Sequence, residues 1–161
     1  MKTSDIQTVS VIGAGLMGHG IALEIAAAGY RVNLYDINES ALSKARENIH
    51  YGLQKLSEAN LIDKSQIKSA LSRIKISHDL AEQLKDADLV IEAAPEDLPT
   101  KQQLFKQFGK LCPDHTILAS NTSGFMPSLY AEHSQRPSKV LVIHYANPPH
   151  FVPLVEIVKG N

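Results

Sequence analysis

VSVIGAGLMGHGIALEIAAAGYRVNLYD, residues 9–36, sets two short apolar, β-branched runs on either side of a helix-like run. Gly13, Gly15 and Gly18 fall between the first run and the helix in G-x-G-x-x-G spacing, the context that gives this pattern a physical meaning. Gly13 permits a tight turn out of the strand, Gly15 leaves the backbone open to a pyrophosphate, and Gly18 lets the helix pack closely. Leu16 and Met17 open the helix, where unpaired N–H groups and the helix dipole favour an anion; Met17 is expected to pack under the loop. Asp36 follows Gly13 by 23 residues, at the end of the second strand, where a carboxylate accepts hydrogen bonds from ribose hydroxyls. A 2′-phosphate there would meet that charge, and Ile37 and Asn38 bring no arginine to offset it, so NAD is favoured over NADP. The glycines alone also fit a loop that merely needs glycine, and FAD shares the fingerprint.

The pattern continues outward as alternating elements. Strands are expected at 7–12, 30–36, 74–77, 87–93, 116–120, 139–145 and 152–158. Helices are expected at 16–28, 39–59, 98–111 and 127–133, with shorter helical stretches after Asp63 and over 79–86. Gly29 suits the cap of the first helix and Asn38 the start of the second, while Asp63 and Gln66 have capping-box spacing. Strands alternating with helices predict an α/β, Rossmann-type, doubly wound and mostly parallel sheet with helices on both faces, a single domain over residues 1–161.

Composition narrows the function. Sixteen basic and 17 acidic side chains leave a formal charge of −1, which offers neither a nucleic-acid surface nor a polybasic membrane anchor. A single cysteine, Cys112, excludes an internal disulfide framework, suits a reducing compartment, and is expected to be buried or half-buried. The opening MKTSDIQTVSVIGAG does not read as a secretory leader, and no run approaches the length of a membrane span; the cytoplasm is the expected location. The remaining histidines (19, 50, 78, 115, 133 and 150) have no metal-ligand spacing with one another or with Cys112, so no metal is expected.

Polar residues gather at the ends of later strands, where open α/β sheets bind ligands. ADLVIEAAPEDLPTKQQLF runs into Glu92, Glu96 and Asp97 with Lys101 a turn beyond; ILASNTSGFMPS carries Ser120, Asn121, Thr122 and Ser123; HYANPPHFVPLVEIVKG carries His144, Asn147 and Glu156. By itself His144 could be an ordinary strand-end histidine, Glu156 an edge-strand charge and Lys101 a first-turn helix lysine. Met126, before Pro127, is expected to pack.

Together with VIGAGLMGHGIA, these segments resemble the N-terminal, NAD-binding domain of the 3-hydroxyacyl-CoA dehydrogenase family along nearly the whole chain. The resemblance implies that His144 is the catalytic base, that Glu156 orients and polarises it, and that Ser123 touches substrate and cofactor. It implies that Glu96, Lys101 and Asn147 contact the nicotinamide half of NAD, with Asn121 in the same cofactor-binding group. The chemistry is compatible: oxidising a secondary alcohol requires a base for the hydroxyl proton while hydride leaves the same carbon. A neutral imidazole suits that task, and a buried Glu156 would need such a partner.

The resemblance also implies a second, largely helical domain that closes the substrate cleft and makes a homodimer, and that is not in this chain. The chain is therefore expected to bind NAD and to turn over poorly alone. The Pro148-Pro149 pair, with PEDL and MPS upstream, is similar to relatives that oxidise free hydroxy acids, such as L-gulonate or carnitine dehydrogenases, and the 39–59 helix has Gly52 and Ala59 near where fatty-acid enzymes place polar and basic contacts. An L-3-hydroxyacyl-CoA is the expected substrate, a free hydroxy acid the alternative, and a non-catalytic NAD-binding role the competitor outside enzymes.

Overall fold

The computed structural model describes residues 3–160; Met1 and Lys2, which begin the segment read above for a leader, and Asn161 lie outside the described residues. The strands are β1 Thr8–Ile12, β2 Arg31–Tyr35, β3 Ile74–Ser77, β4 Leu89–Glu92, β5 Ile117–Ser120, β6 Val140–Tyr145 and β7 Val155–Lys159. The helices are α1 Leu16–Ala27, α2 Glu39–Glu58, α3 Lys64–Ser72, α4 Leu80–Leu84 and α5 Leu98–Leu111. One sheet runs in the order β3-β2-β1-β4-β5-β6-β7, every neighbour parallel except the antiparallel pair β6 and β7.

Both faces of the inner strands are covered because successive side chains point to opposite sides. Val9, Val11, Ile91 and Ala119 join the core under α1 and α2, whereas Ile12, Val90 and Leu118 join the core under α5, with Phe105, Phe108 and Tyr130. The helical stripe Leu42, Ala45, Ile49, Leu53 and Leu56 is buried along α2 as its spacing requires. Capping follows the residues: Asn38 accepts from Ser40 N–H at 3.0 Å, Asp63 and Gln66 form a capping box, and Asp97 accepts from Thr100 N–H at 2.9 Å. Gly29 takes φ +103° just past α1, the left-handed position that ends the helix. Cys112 is buried at the end of α5, where desolvation pushes its thiol up to about 12 against the pull of Arg136.

Four expectations are corrected. The helix at 127–133 is two short 3-10 turns, Pro127–Leu129 and Ala131–Ser134, parted at Tyr130, whose φ of −135° is not helical. The last strand begins at Val155, not 152, because Pro153 has no N–H to pair and residues 148–151 form a turn. Met126 does not pack; it is 67% exposed. Gly52, read against a coenzyme contact, lies inside the α1–α2 crossing, where a Cβ would sit 2.5 Å from Leu23 Cδ1; the helices touch there, so its lack of a polar side chain bears on packing and not on substrate.

Candidate active site

The chain runs outward from β1 to β2 and β3, then returns to lay β4 on the other side of β1. At such a reversal the connections leave in opposite directions and open a crevice beyond the strand ends. A cavity of about 580 Å³ lies there, lined by Gly13, Gly15, Leu16, Met17 and Asp36 and, from the end of β4, by Ala93, Ala94 and Pro95.

The three glycines do distinct jobs. Gly13 turns out of β1 at φ +109°, and a Cβ there would stand 2.5 Å from Ala93 O. Gly18 is buried beneath the loop, and its Cβ would stand 1.7 Å from Gly13 O, so the close approach is to the turn itself more than to the strand. A Cβ on Gly15 would meet nothing within 4 Å; that side of the loop faces open space. Helix α1 starts at Gly15 with no side-chain cap, whereas Asn38, Asp79 and Asp97 cap α2, α4 and α5. Its first N–H groups are left for a ligand anion. Asp36 is oriented by two backbone donors, Ala14 N–H at 2.8 Å to Oδ2 and Asn38 N–H at 2.9 Å to Oδ1. Each oxygen keeps a lone pair for a hydroxyl.

A second cavity of about 390 Å³ adjoins the first across Met17, Ala93 and Ala94. It brings together Glu96, Lys101, Asn121, Ser123, His144 and Asn147, which the chain contributes from the ends of β4, β5 and β6 and from α5. His144 and Glu156 are directly opposed in the β6–β7 register, and His144 Nδ1 is 2.7 Å from Glu156 Oε2. A carboxylate only accepts, so Nδ1–H donates; in the neutral imidazole Nε2 then carries the free lone pair. Glu156 is paired as expected, but it is not buried: its side chain is 63% exposed, because β7 is the sheet edge. Asn121 Oδ1 accepts from Tyr145 N–H at 2.8 Å and ties the ends of β5 and β6 together beside His144.

Lys101 is no ordinary helix lysine. Its side chain is 1% exposed, and Nζ lies 3.1 and 3.0 Å from the two oxygens of Glu92 and 3.1 Å from Glu96 Oε2. Glu92, fully buried, also accepts from Ala94 N–H at 2.7 Å and from Ser120 Oγ at 2.5 Å. Burial would raise the Glu96 carboxyl, but hydrogen bonds from Thr122 Oγ1 and Lys101, the Lys101 charge and Gly124 N–H outweigh it and hold the carboxyl below its usual value. Glu92 and its donor Ser120 stand in the strand-end clusters noted in the sequence, which gave neither of them a role. The available signal was position: an acid ending the apolar run LVIE in the middle of a covered sheet has to find a partner.

Residues 8–161 match the family model described as 3-hydroxyacyl-CoA dehydrogenase, NAD binding domain. The chain belongs to this family. A probable 3-hydroxybutyryl-CoA dehydrogenase of Bacillus subtilis is 38% identical over 97% of the chain and 54% of its own length. The (S)-3-hydroxybutyryl-CoA dehydrogenase of Ralstonia eutropha superposes with a TM-score of 0.91 at 35% identity, over 96% of this chain and 54% of that one. A diketoreductase, described for dual catalysis of dicarbonyl compounds, superposes at 0.87 with 38% identity, over 94% and 54%. The chain thus spans about half the length of these relatives.

As the NAD-binding domain of a 3-hydroxyacyl-CoA dehydrogenase family protein, the chain takes NAD, and the uncapped α1, the open side of Gly15 and the oriented Asp36 fit that cofactor. Asp36 is expected from its charge to disfavour a 2′-phosphate. Asp36→Asn keeps an acceptor for the loop and removes the charge, so the preference for NADH over NADPH is expected to fall at least about tenfold. Fluorescence titration with the two reduced cofactors measures it; an unchanged preference would refute this role.

Proposed function

We propose that this chain is the cofactor-binding half of an enzyme that oxidises the 3-hydroxyl of an L-3-hydroxyacyl-CoA to the ketone, and reverses the reaction, with His144 and Glu156 as its acid–base pair. The observation that carries the reading is the 2.7 Å contact of His144 Nδ1 with Glu156, which leaves Nε2 free at the edge of a cavity continuous with the glycine loop. NAD, when bound, accepts the hydride that leaves the carbinol carbon. His144 Nε2 takes the hydroxyl proton, and Glu156 stabilises the imidazolium that results. In the reverse direction the same nitrogen returns the proton to the ketone oxygen. Ser123 and Asn147 line the same cavity, and in this reading they donate hydrogen bonds towards the reacting oxygen.

The cavity that holds His144 is open, and a water-filled site loses electrostatic and positional advantage. A second, helical domain, which would also carry the homodimer contact, is proposed to close it. The test is an NADH-oxidation assay with acetoacetyl-CoA, using the chain alone and joined to a domain that completes the length of its relatives. Turnover rising at least about 100-fold on joining is expected; full turnover by the chain alone would sink the need for a partner domain.

One observation favours a second reading of the substrate. The Pro148-Pro149 turn directly follows Asn147 of the His144 cavity, and a diketoreductase shares the fold at 38% identity. Free acetoacetate, gulonate and carnitine in the same assay separate a free-acid substrate from a coenzyme A thioester.

A further inference from the structure

The triad Glu92–Lys101–Glu96 has a charge that its geometry does not cancel. Every neighbour of Glu92 is a donor: Lys101 Nζ, Ala94 N–H and Ser120 Oγ–H. Glu96 likewise receives Thr122 Oγ–H, Gly124 N–H and Lys101. Two acidic side chains share one basic one, a formal charge of −1 in the wall of the cavity that contains His144. A buried ion pair is weak evidence of stabilisation, since desolvating the charges offsets their attraction. A buried triad with an odd charge is better understood through what it faces.

The nicotinamide of NAD is a cation when oxidised and neutral when reduced. Base and hydride acceptor act on one carbon, so the ring must reach the cavity of His144. We infer that Glu92 and Glu96, arranged around Lys101, make this end of the cleft sense the oxidation state of the cofactor, favouring the nicotinamidium. Glu92 is here a positioning residue that holds the Lys101 ammonium and adds its own field; Glu96 stands at the cavity surface. Of the other charged groups nearby, Glu156 faces His144 and Asp97 acts on Lys101. On oxidation of the alcohol, one positive charge passes from the nicotinamide to the imidazole as the hydride and the proton move. The triad stabilises it at the first position and Glu156 at the second. The inference rests on the proposed function, which brings the nicotinamide to His144.

The test is equilibrium binding. NADH affinity is read by its fluorescence and NAD affinity by competition, for the 161-residue chain and for Glu96→Gln, Glu96→Asp and Glu92→Gln. Glu96→Gln is expected to weaken NAD about tenfold and NADH less than about threefold, shifting the ratio of the two dissociation constants. Glu96→Asp keeps the charge and should keep the ratio, even if both affinities fall. Glu92→Gln should shift the ratio in the same direction; if it does not fold, judged by circular dichroism, Glu96→Gln decides alone because it removes one unit of the same charge. A ratio unchanged in Glu96→Gln, with both affinities moving together or not at all, overturns the inference. Failure of the unmutated chain to bind either form would instead remove the cofactor reading beneath it.

Discussion

Replacing Gly18 by alanine is expected to destroy the cofactor site and weaken the fold together. A Cβ at this position would lie 1.7 Å from Gly13 O, less than a bonded-contact tolerance can absorb, and the obstacle is backbone. Either α1 moves away from the turn or the turn opens. Helix α1 carries seven buried residues and is pinned between β1 and α2, so displacing it costs about 3 kcal/mol, the upper range for an overpacked core. If the turn opens instead, the N–H groups of the loop lose their convergence. Losing two charge-assisted hydrogen bonds to the pyrophosphate would lower NADH affinity at least about 100-fold. Urea denaturation and NADH fluorescence titration measure the two effects. Gly29→Ala is the contrasting control: its φ is positive, unlike that of the helical Gly18, and a Cβ there meets nothing within 4 Å. It should cost about 1 kcal/mol and leave NADH binding intact. Gly18→Ala binding NADH and resisting urea as well as Gly29→Ala does would show that the steric argument is wrong.

The second large effect is expected at His144. In the protein completed by a second domain, His144→Gln should lower kcat about 1000-fold, the range for losing a positioned general base, with NADH affinity changed less than about twofold. The separation of the two readouts is the point, since His144 is proposed to handle the substrate proton and not to hold the cofactor. Glu156→Gln should lower kcat by less, because that carboxylate is 63% exposed and its interaction is partly screened. It should nevertheless depress kcat without raising KM, since it stabilises a charge that forms only as the proton moves. Survival of activity in His144→Gln would return the histidine to a structural role and favour a cofactor-binding protein without this chemistry.

Much of the crevice was legible because its signals are local. A glycine fingerprint between a strand and a helix, followed at the right distance by Asp36, specifies a turn, an uncapped helix start and an acidic strand end, all within 28 residues. The caps Asn38, Asp63 and Gly29 were legible for the same reason: each acts within one helical turn of itself. The helix at 127–133 was misread because its apolar residues Leu129 and Tyr130 carry no clear period, and tertiary contacts decided the outcome. Tyr130 goes inward against Phe105, with ring centroids 4.5 Å apart, and the backbone breaks there to deliver it.

The sequence by itself determined that this protein has a dinucleotide crevice, that Asp36 ends the second strand beside it, and that polar residues cluster at the ends of several strands; short-range spacing and hydrophobic alternation carry that information. Only the tertiary structure decided which of those polar residues meet. His144 faces Glu156 because β7 turns back antiparallel in one particular register, and a shift by one residue would send the carboxylate to the other face of the sheet. Lys101 reaches Glu92 because α5 packs on the same side of the sheet as the apolar core beneath it and leaves the lysine side chain 1% exposed beside the end of β4. Such pairings depend on register and packing between segments distant in the chain, which no local pattern of residues records.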